Sequence, residues 1–327
     1  SHVGTPGTPQ EERRKLRCSI WRYHPIRHSF EVVCEGTTNP WGHDWDEHGQ
    51  LFFINTVIGH LWHGVPGAYF KRMHGQHFNK HLYELIDQTA DHYHWDKGKE
   101  HWADLKRKGM TTSTDQAGGG HAHCGMMIYQ GQNWPTHYQG KVFTANLHGR
   151  RINCGLLQRK GTGYTGKHEP AFMKITDPWF RGIEIDYGPS GEVYILDWSD
   201  IGECHENDGV HRTSGRIYRI IHGKLQKPKF GDLRKMNSLE LAHLQADGNE
   251  WYARKARLIL QERGNQTEPT PSEGKAREFL LRTLTEHDDV RIKLRALWTL
   301  HTMRGGLSEN MLQKLLDHEE EHLRLWA

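Results

Sequence analysis

Two short stretches carry paired histidines at alternate positions. GGGHAHCGMMIY (118–129) sets His121 and His123, with Cys124 beside them, after three glycines and before an apolar run. In a strand, residues i and i+2 project to one face, which two ligands of one metal would require. The preceding glycines let the backbone come close to a bound group. ADHYHWD (90–96) repeats the spacing with His92 and His94, flanked by Asp91 and Asp96. A third stretch, DWSDIGECHENDGVHRTSG (197–215), crowds Asp197, Asp200, Glu203, Cys204, His205, Glu206, Asp208, His211 and Arg212 between VYIL and RIYRII. Carboxylates and carbonyls suit Ca²⁺, whereas a mixed His, Cys and carboxylate set suits zinc. The loop matches no strict ligand spacing, so either ion, or a plain polar connection between strands, fits it. The metal candidates are His92, His94, Glu203 and His205. The candidates for acid–base chemistry are His121, His123 and Asp200.

Arginines supply a second kind of chemistry. ANLHGRRIN (145–153) offers His148, Arg150 and Arg151 at a hairpin turn, and DPWFRGIEIDYGP (177–189) offers Arg181 beside Trp179 and Phe180. The planar guanidinium suits carboxylate-bearing ligands, and an indole gives a stacking face. The competing reading is an arginine paired to an acid at a sheet edge, and it weighs more for Arg151.

Composition narrows the classes. The 327 residues include 43 basic and 40 acidic ones, well mixed, for a net charge of +3. No basic stripe of the kind nucleic-acid binding uses is present. No window approaches the 18 apolar residues of a membrane span. The 26 histidines, most of them before residue 220, raise the expectation of metal or proton chemistry. The five cysteines (Cys18, Cys34, Cys124, Cys154 and Cys204) form no C-x-x-C pair, which argues against a zinc knuckle or a c-type haem attachment. Their spacing selects no disulfide. The chain opens on Ser1 and closes on Ala327 inside a helical pattern, so a fragment of a longer protein is expected.

These residues need elements to hold them. HGQLFFINTVIGHLWHGVPG (48–67), QGKVFTANLHGRRINCGLL (139–157) and SGEVYILDWSD…SGRIYRIIHG (190–223) share one design of Gly turn, β-rich run, second turn and second run. Such runs read as antiparallel hairpins, and their repetition suggests a β-propeller with four-stranded blades, or otherwise a sandwich. CSIWRYHP (18–25) reads as the last strand of a unit whose beginning is missing. The stretch 70–109 reads as a functional insertion, with HLYELI a short helix. From about Asn237 the period becomes helical, with Ser238 as a cap, TEPTPSEG (267–274) as a loop, and Ala256, Ala296 and Ala327 marking a repeat of HEAT type. The expected division is a partial β-propeller over 1–225, then a helical solenoid over 237–327.

NPWGHDWDEHGQLFFIN, GHAHCGMMIYQGQNWP…YQGKVFTANLHGRRIN, DPWFRGIEIDYGPSGEVYILDWSD and GECHENDGVHRTSGRIYRI together resemble the planctomycete-type membrane-bound dehydrogenase domain. That family is related to the soluble quinoprotein glucose/sorbosone dehydrogenases, and the resemblance covers nearly all of residues 1–222. It implies a mainly β, propeller-type oxidoreductase followed by HEAT-like helices, with pyrroloquinoline quinone and Ca²⁺ as cofactors. It further implies a c-type haem domain outside these residues as electron acceptor. Asn39 in TNPWG matches the asparagine of the family's Arg-Asn pair, while Thr38 replaces the arginine. His148 falls near the family's lysine. Of two arginines before the Gly-Pro turn, Trp179 replaces the first and Arg181 matches the second. An anionic quinone would thereby lose much of its charge pairing.

The expected function is therefore oxidation of a sugar or polyol hydroxyl by an exported, periplasmic or cell-envelope protein, with a cytochrome-type partner. Asn39, His148, Arg150 and Arg181 would face the cofactor. The alternatives are a non-catalytic propeller that captures glycans or partners, with the helices as a docking arm, and a metal-dependent hydrolase.

Overall fold

The computed structural model describes residues 2–97, 109–202, 211, 213–265, 268 and 270–327. Small antiparallel sheets come first: β1 (His2–Val3) pairs with β2 (Arg14–Lys15), and β3 (Ser19–His24) with β4 (Ser29–Glu35). CSIWRYHP thus opens its own hairpin with the strand that follows it, instead of closing an earlier unit. β5 (Pro40–Trp45), β6 (Leu51–Asn55) and β7 (Leu61–His63) form a three-stranded sheet. After the short helix α1 (Thr112–Ala117), a four-stranded meander runs through β8 (His123–Ile128), β9 (Val142–Asn146), β10 (Arg151–Lys160) and β11 (Gly163–Lys174). A last three-stranded sheet holds β12 (Gly182–Tyr187), β13 (Val193–Asp197) and β14 (Arg216–Ile220).

Local chemistry fixes these strands. The β5–β6 turn closes because Asp46 Oδ1 accepts from the amides of His48 and Gln50, with Gly49 in the left-handed region. LFFIN of β6 alternates across the sheet. Phe52 and Ile54 pack with Leu61, Met126, Ile128 and Val142, while Phe53 packs with Trp62, Phe70 and Cys34. Both faces of β6 are thus buried, which is why the run is apolar throughout instead of alternating with polar residues. Asp44 Oδ2 accepts from the Ile128 amide at 2.8 Å, tying β5 to β8.

Residues 81–86 form no helix. The segment runs irregularly, and Ile86 bridges the backbone at Phe70 instead. Of the sequence expected as an insertion, 98–108 lies outside the described residues.

The remaining chain is helical: α2 (Ser238–His243), α3 (Glu250–Gly264), α4 (Pro271–Glu286), α5 (Val290–Thr302), α6 (Glu309–Leu316) and α7 (Glu321–Trp326). Asn237, not Ser238, caps α2, because its side chain accepts from the Glu240 amide while Glu240 returns the bond. TEPTPSEG is not wholly a loop. Thr270 and Glu273 make a capping box, and Pro271 occupies the first helical position, so α4 begins inside it. Ala256, Leu280, Leu294 and Leu300 lie in the helical core. None of the described helices is long and apolar enough to cross a membrane.

By contacts the chain divides into two compact units. The first comprises 1–129, 140–186 and 193–220; the second comprises 130–139, 187–192 and 221–327.

Candidate functional site

The first unit gathers histidines from four separate segments. His60 enters β7; His92 and His94 lie in the irregular segment before α1; His123 opens β8; His168 sits on β11. The His92 and His94 Nε2 atoms are 3.2 Å apart, and His94 Nδ1 lies 2.8 Å from His123 Nε2. The His60 ring stacks on His94 at 4.0 Å between centroids and stands 4.9 Å from His92 and 5.1 Å from His123. His168 stands 5.2 Å from His92 and 5.3 Å from His94. His60, His94 and His123 are buried, His92 is half-buried, and His168 is exposed, so the cluster reaches the surface at His168 and His92.

Backbone anchors explain how distant segments converge. Gln88 Oε1 accepts from the His60 amide at 2.9 Å, and its Nε2 donates to the His92 carbonyl at 2.8 Å. One side chain thereby links the strand bearing His60 to the segment bearing His92. Thr56 Oγ1 donates to the His123 carbonyl, and the Val57 amide donates to that of His121. Val57 holds φ at 127°, a region that β-branched residues avoid, so local strain is stored beside the cluster.

The three glycines have a defined task. Gly118, Gly119 and Gly120 all take positive φ. A Cβ on them would come within 2.5 Å of His94, 2.3 Å of Arg151 and 2.8 Å of His148, respectively. The group that needs close backbone approach is thus the protein's own side chains. Asn146, fully buried at the end of β9, holds the arch by donating from Nδ2 to the carbonyls of Gly118 and Gly120. Asn153 donates to the Gly118 carbonyl as well.

Burial keeps the inner rings neutral. It pushes His60 and His94 well below the usual imidazole range, and His123 down to about 3, with neighbouring rings adding to the effect. Partial desolvation of its ring, and then the nearby His92, also lower His168. At the outer edge, His92 Nδ1 lies 3.1 Å from Asp91 Oδ1. Asp91 is held below the usual carboxylate range by hydrogen bonds from Lys167 and then His92. The ionised carboxylate accepts from His92 Nδ1, so in the all-neutral cluster His92 Nε2 accepts from His94 Nε2 and His94 Nδ1 accepts from His123 Nε2. The series Asp91–His92–His94–His123 is thus a directed chain of hydrogen bonds. The Nδ1 atoms of His60 and His123 are buried without a hydrogen-bond partner.

The other residues singled out from sequence sort as follows. β8 begins only at His123, so His121 is not on that strand; its ring meets Trp95 at 5.0 Å and His148 at 4.7 Å. His121 and His123 therefore turn to different neighbours, though both His121 and His148 act electrostatically on His123. Arg151 is buried, and it pairs with Asp115. Arg181 spends its guanidinium on the carbonyls of Pro178, Phe180, Ile201 and Gly202. Asp197 accepts from the amides of Arg181 and Ser199 and pairs with Arg216, while Asp200 accepts from the Gly202 amide. This start of the 197–215 loop is a self-satisfied polar knot. Asn39 is exposed with φ of 52°, and Arg150 has φ of 45° at its turn. Glu203 and His205 lie outside the described residues. None of the four described cysteines (Cys18, Cys34, Cys124 and Cys154) is in a disulfide.

The positions matched to quinone contacts do not fit a tricarboxylate. Arg181 is engaged by four carbonyls, His148 packs against His121, and Thr38 and Trp179 carry no charge. Sequence reasoning missed His60, His168 and Gln88. His60 falls in GHLWHG, where the apolar strand pattern hides it, and no local spacing links any of the three to His92.

Among solved structures, the PQQ-bound form of an aldose sugar dehydrogenase from Streptomyces coelicolor is similar at 18% identity and a TM-score of 0.38, covering 67% of this chain and 57% of that one. A protein of Thermus thermophilus described as an oxidoreductase (glucose dehydrogenase) gives 18% and 0.36, covering 65% and 51%. The apo form of the soluble aldose sugar dehydrogenase of Escherichia coli gives 15% and 0.32, covering 51% and 44%. The chain spans about half the length of these proteins. A search of curated proteins returned no match. The family model DUF7133, a domain of unknown function, matches residues 2–224, the stretch that carries the histidine cluster, and the chain belongs to that family.

Proposed function

We propose that residues 2–224 form a dehydrogenase-type domain of propeller architecture that oxidises a sugar or polyol hydroxyl at the histidine cluster. The observation that carries this reading is a set of buried, neutral imidazoles that opens to the surface at His168 and His92. Oxidising an alcohol removes a proton from oxygen and a hydride from carbon, and the proton half needs a positioned base. The neutral rings offer that lone pair at neutral pH. At the outer edge Asp91, held ionised by Lys167, faces His92 Nδ1 at 3.1 Å and orients that ring. The hydride would need a two-electron acceptor of the quinone class that these residues do not supply, and a cytochrome-type module of a periplasmic or cell-envelope protein, the proposed partner, would re-oxidise that acceptor one electron at a time.

A second reading, glycan capture without chemistry, draws on the exposed indoles of Trp41, Trp45 and Trp198. The test is dye reduction by the full-length protein over a panel of aldoses and polyols. Turnover that falls in His168→Gln and Asp91→Asn supports oxidation. Binding of sugars with no turnover would select the second reading, and neither binding nor turnover would remove both.

A further inference from the structure

We infer that His60, His92 and His94 form a binding site for a divalent first-row transition metal of the zinc class, with Asp91 and His123 as its outer shell. One ring nitrogen from each of these three histidines lies within 4.8 Å of the others. The His92–His94 edge is the informative distance. Two metal–nitrogen bonds of about 2.0–2.1 Å at a tetrahedral angle place their nitrogens about 3.3 Å apart. The observed Nε2–Nε2 separation is 3.2 Å.

The surroundings match what a ligating imidazole needs at its other nitrogen. When Nε2 binds a metal, Nδ1 carries the proton and must donate it. His92 Nδ1 faces the Asp91 carboxylate at 3.1 Å, and His94 Nδ1 faces His123 Nε2 at 2.8 Å. Both outer partners are in place. His60 brings a third ring, and its buried Nδ1 has no hydrogen-bond partner, an arrangement that is costly unless something binds there. Three imidazoles and no thiolate favour zinc, copper or nickel over calcium or magnesium. Three protein ligands also leave one tetrahedral position for water or a substrate oxygen, the pattern of catalytic sites rather than structural ones.

The surrounding fold holds the three rings together without any ion. Gln88 fixes the backbone of His60 to that of His92, and Gly118 lets the chain pass directly over His94. The inference concerns metal binding and is read by binding alone; a metal on His60, His92 and His94 would take up the lone pairs of those rings and leave His168, at the opening, as the base of the dehydrogenase reading.

The test uses the full-length protein, stripped with chelator and titrated with Zn²⁺ and then Co²⁺, read by calorimetry and by the visible d–d spectrum of Co²⁺. The expected result is one tight site per chain with an intense, low-symmetry Co²⁺ spectrum. Asp91→Asn should weaken binding by about 10–100-fold and leave the spectrum similar, since it removes only the outer partner of His92. His92→Gln and His94→Gln should abolish the site. Circular dichroism and the urea midpoint of each variant separate loss of a ligand from loss of the fold, and Asp91→Asn, at an exposed residue, gives a readout that does not depend on the buried variants folding. Absence of a tight site, or a site unchanged in Asp91→Asn and in folded His92→Gln, would overturn the inference and assign any bound ion to the other histidines.

Discussion

Asn146→Asp is nearly isosteric and tests whether the glycine arch is held as described. Asn146 Nδ2 donates to the carbonyls of Gly118 at 3.1 Å and Gly120 at 2.9 Å, while its Oδ1 accepts from the Gly149 amide. The residue is fully buried. An ionised carboxylate there would face two carbonyl oxygens in a dry site, so the folded state retains the new carboxyl in its protonated form. Holding it protonated costs about 1.4 kcal/mol for each pH unit above its unfolded value of about 3.9, or about 4 kcal/mol at pH 7. The protonated group has one O–H and can restore the bond to Gly120. The Gly118 carbonyl keeps Asn153 as a donor, so the residual deficit near pH 4 is only about 1 kcal/mol. The carboxyl's folded pKa is raised above its unfolded one. Its stabilising share is therefore present below the unfolded pKa and lost as pH rises toward the folded one. Urea unfolding of the variant and the parent between pH 4 and pH 8 measures this. A deficit below about 1 kcal/mol at pH 7, or one that does not change with pH, would refute the hydrogen-bonded arch.

Three further outcomes follow from local geometry. Burial pushes the thiols of Cys34 and Cys154 up to about 12, so both should resist alkylation in the native protein and react on unfolding, as mass spectrometry of labelled peptides would show. Burial lowers His63, stacked on Phe52, to about 4. The unfolded chain therefore binds its proton more tightly, so stability should fall as pH drops from about 6.5 toward 4, by up to about 3 kcal/mol. A ring titration near 6.5 by NMR would contradict this. In the helical unit, buried Glu250 faces Arg295 at 2.5 Å, Arg257 at 3.6 Å and Arg254 at 3.7 Å. Glu250→Gln leaves these charges uncompensated and should cost about 3–5 kcal/mol by urea midpoint, and a cost under about 1 kcal/mol would show the network to be dispensable.

The sequence by itself determined the hairpins and the helical region. Each is a matter of local period: apolar runs between Gly turns close antiparallel strands, and three- and four-residue apolar steps mark helix faces. The two-residue step of His92 and His94 reads as one strand face, but these rings meet in an irregular segment, and the same step at His121 and His123 sends the rings to different neighbours. Capping chemistry was legible too, and the missed start of α4 at Pro271 followed from reading T-P-S-E as loop instead of as a capping box. The composition of the cluster was decided only by tertiary structure. His60, His123 and His168 join His92 and His94 across more than 100 residues of chain, through Gln88, the Thr56 and Val57 bonds and the glycine arch, none of which leaves a periodic mark in sequence. The same holds for Arg181 and Asp200. Their residue types advertise ligand chemistry, and only the fold shows that carbonyls and amides of their own loop take up their hydrogen-bonding groups. A polar side chain's type sets what it can bind, but the backbone groups packed around it settle what it does bind.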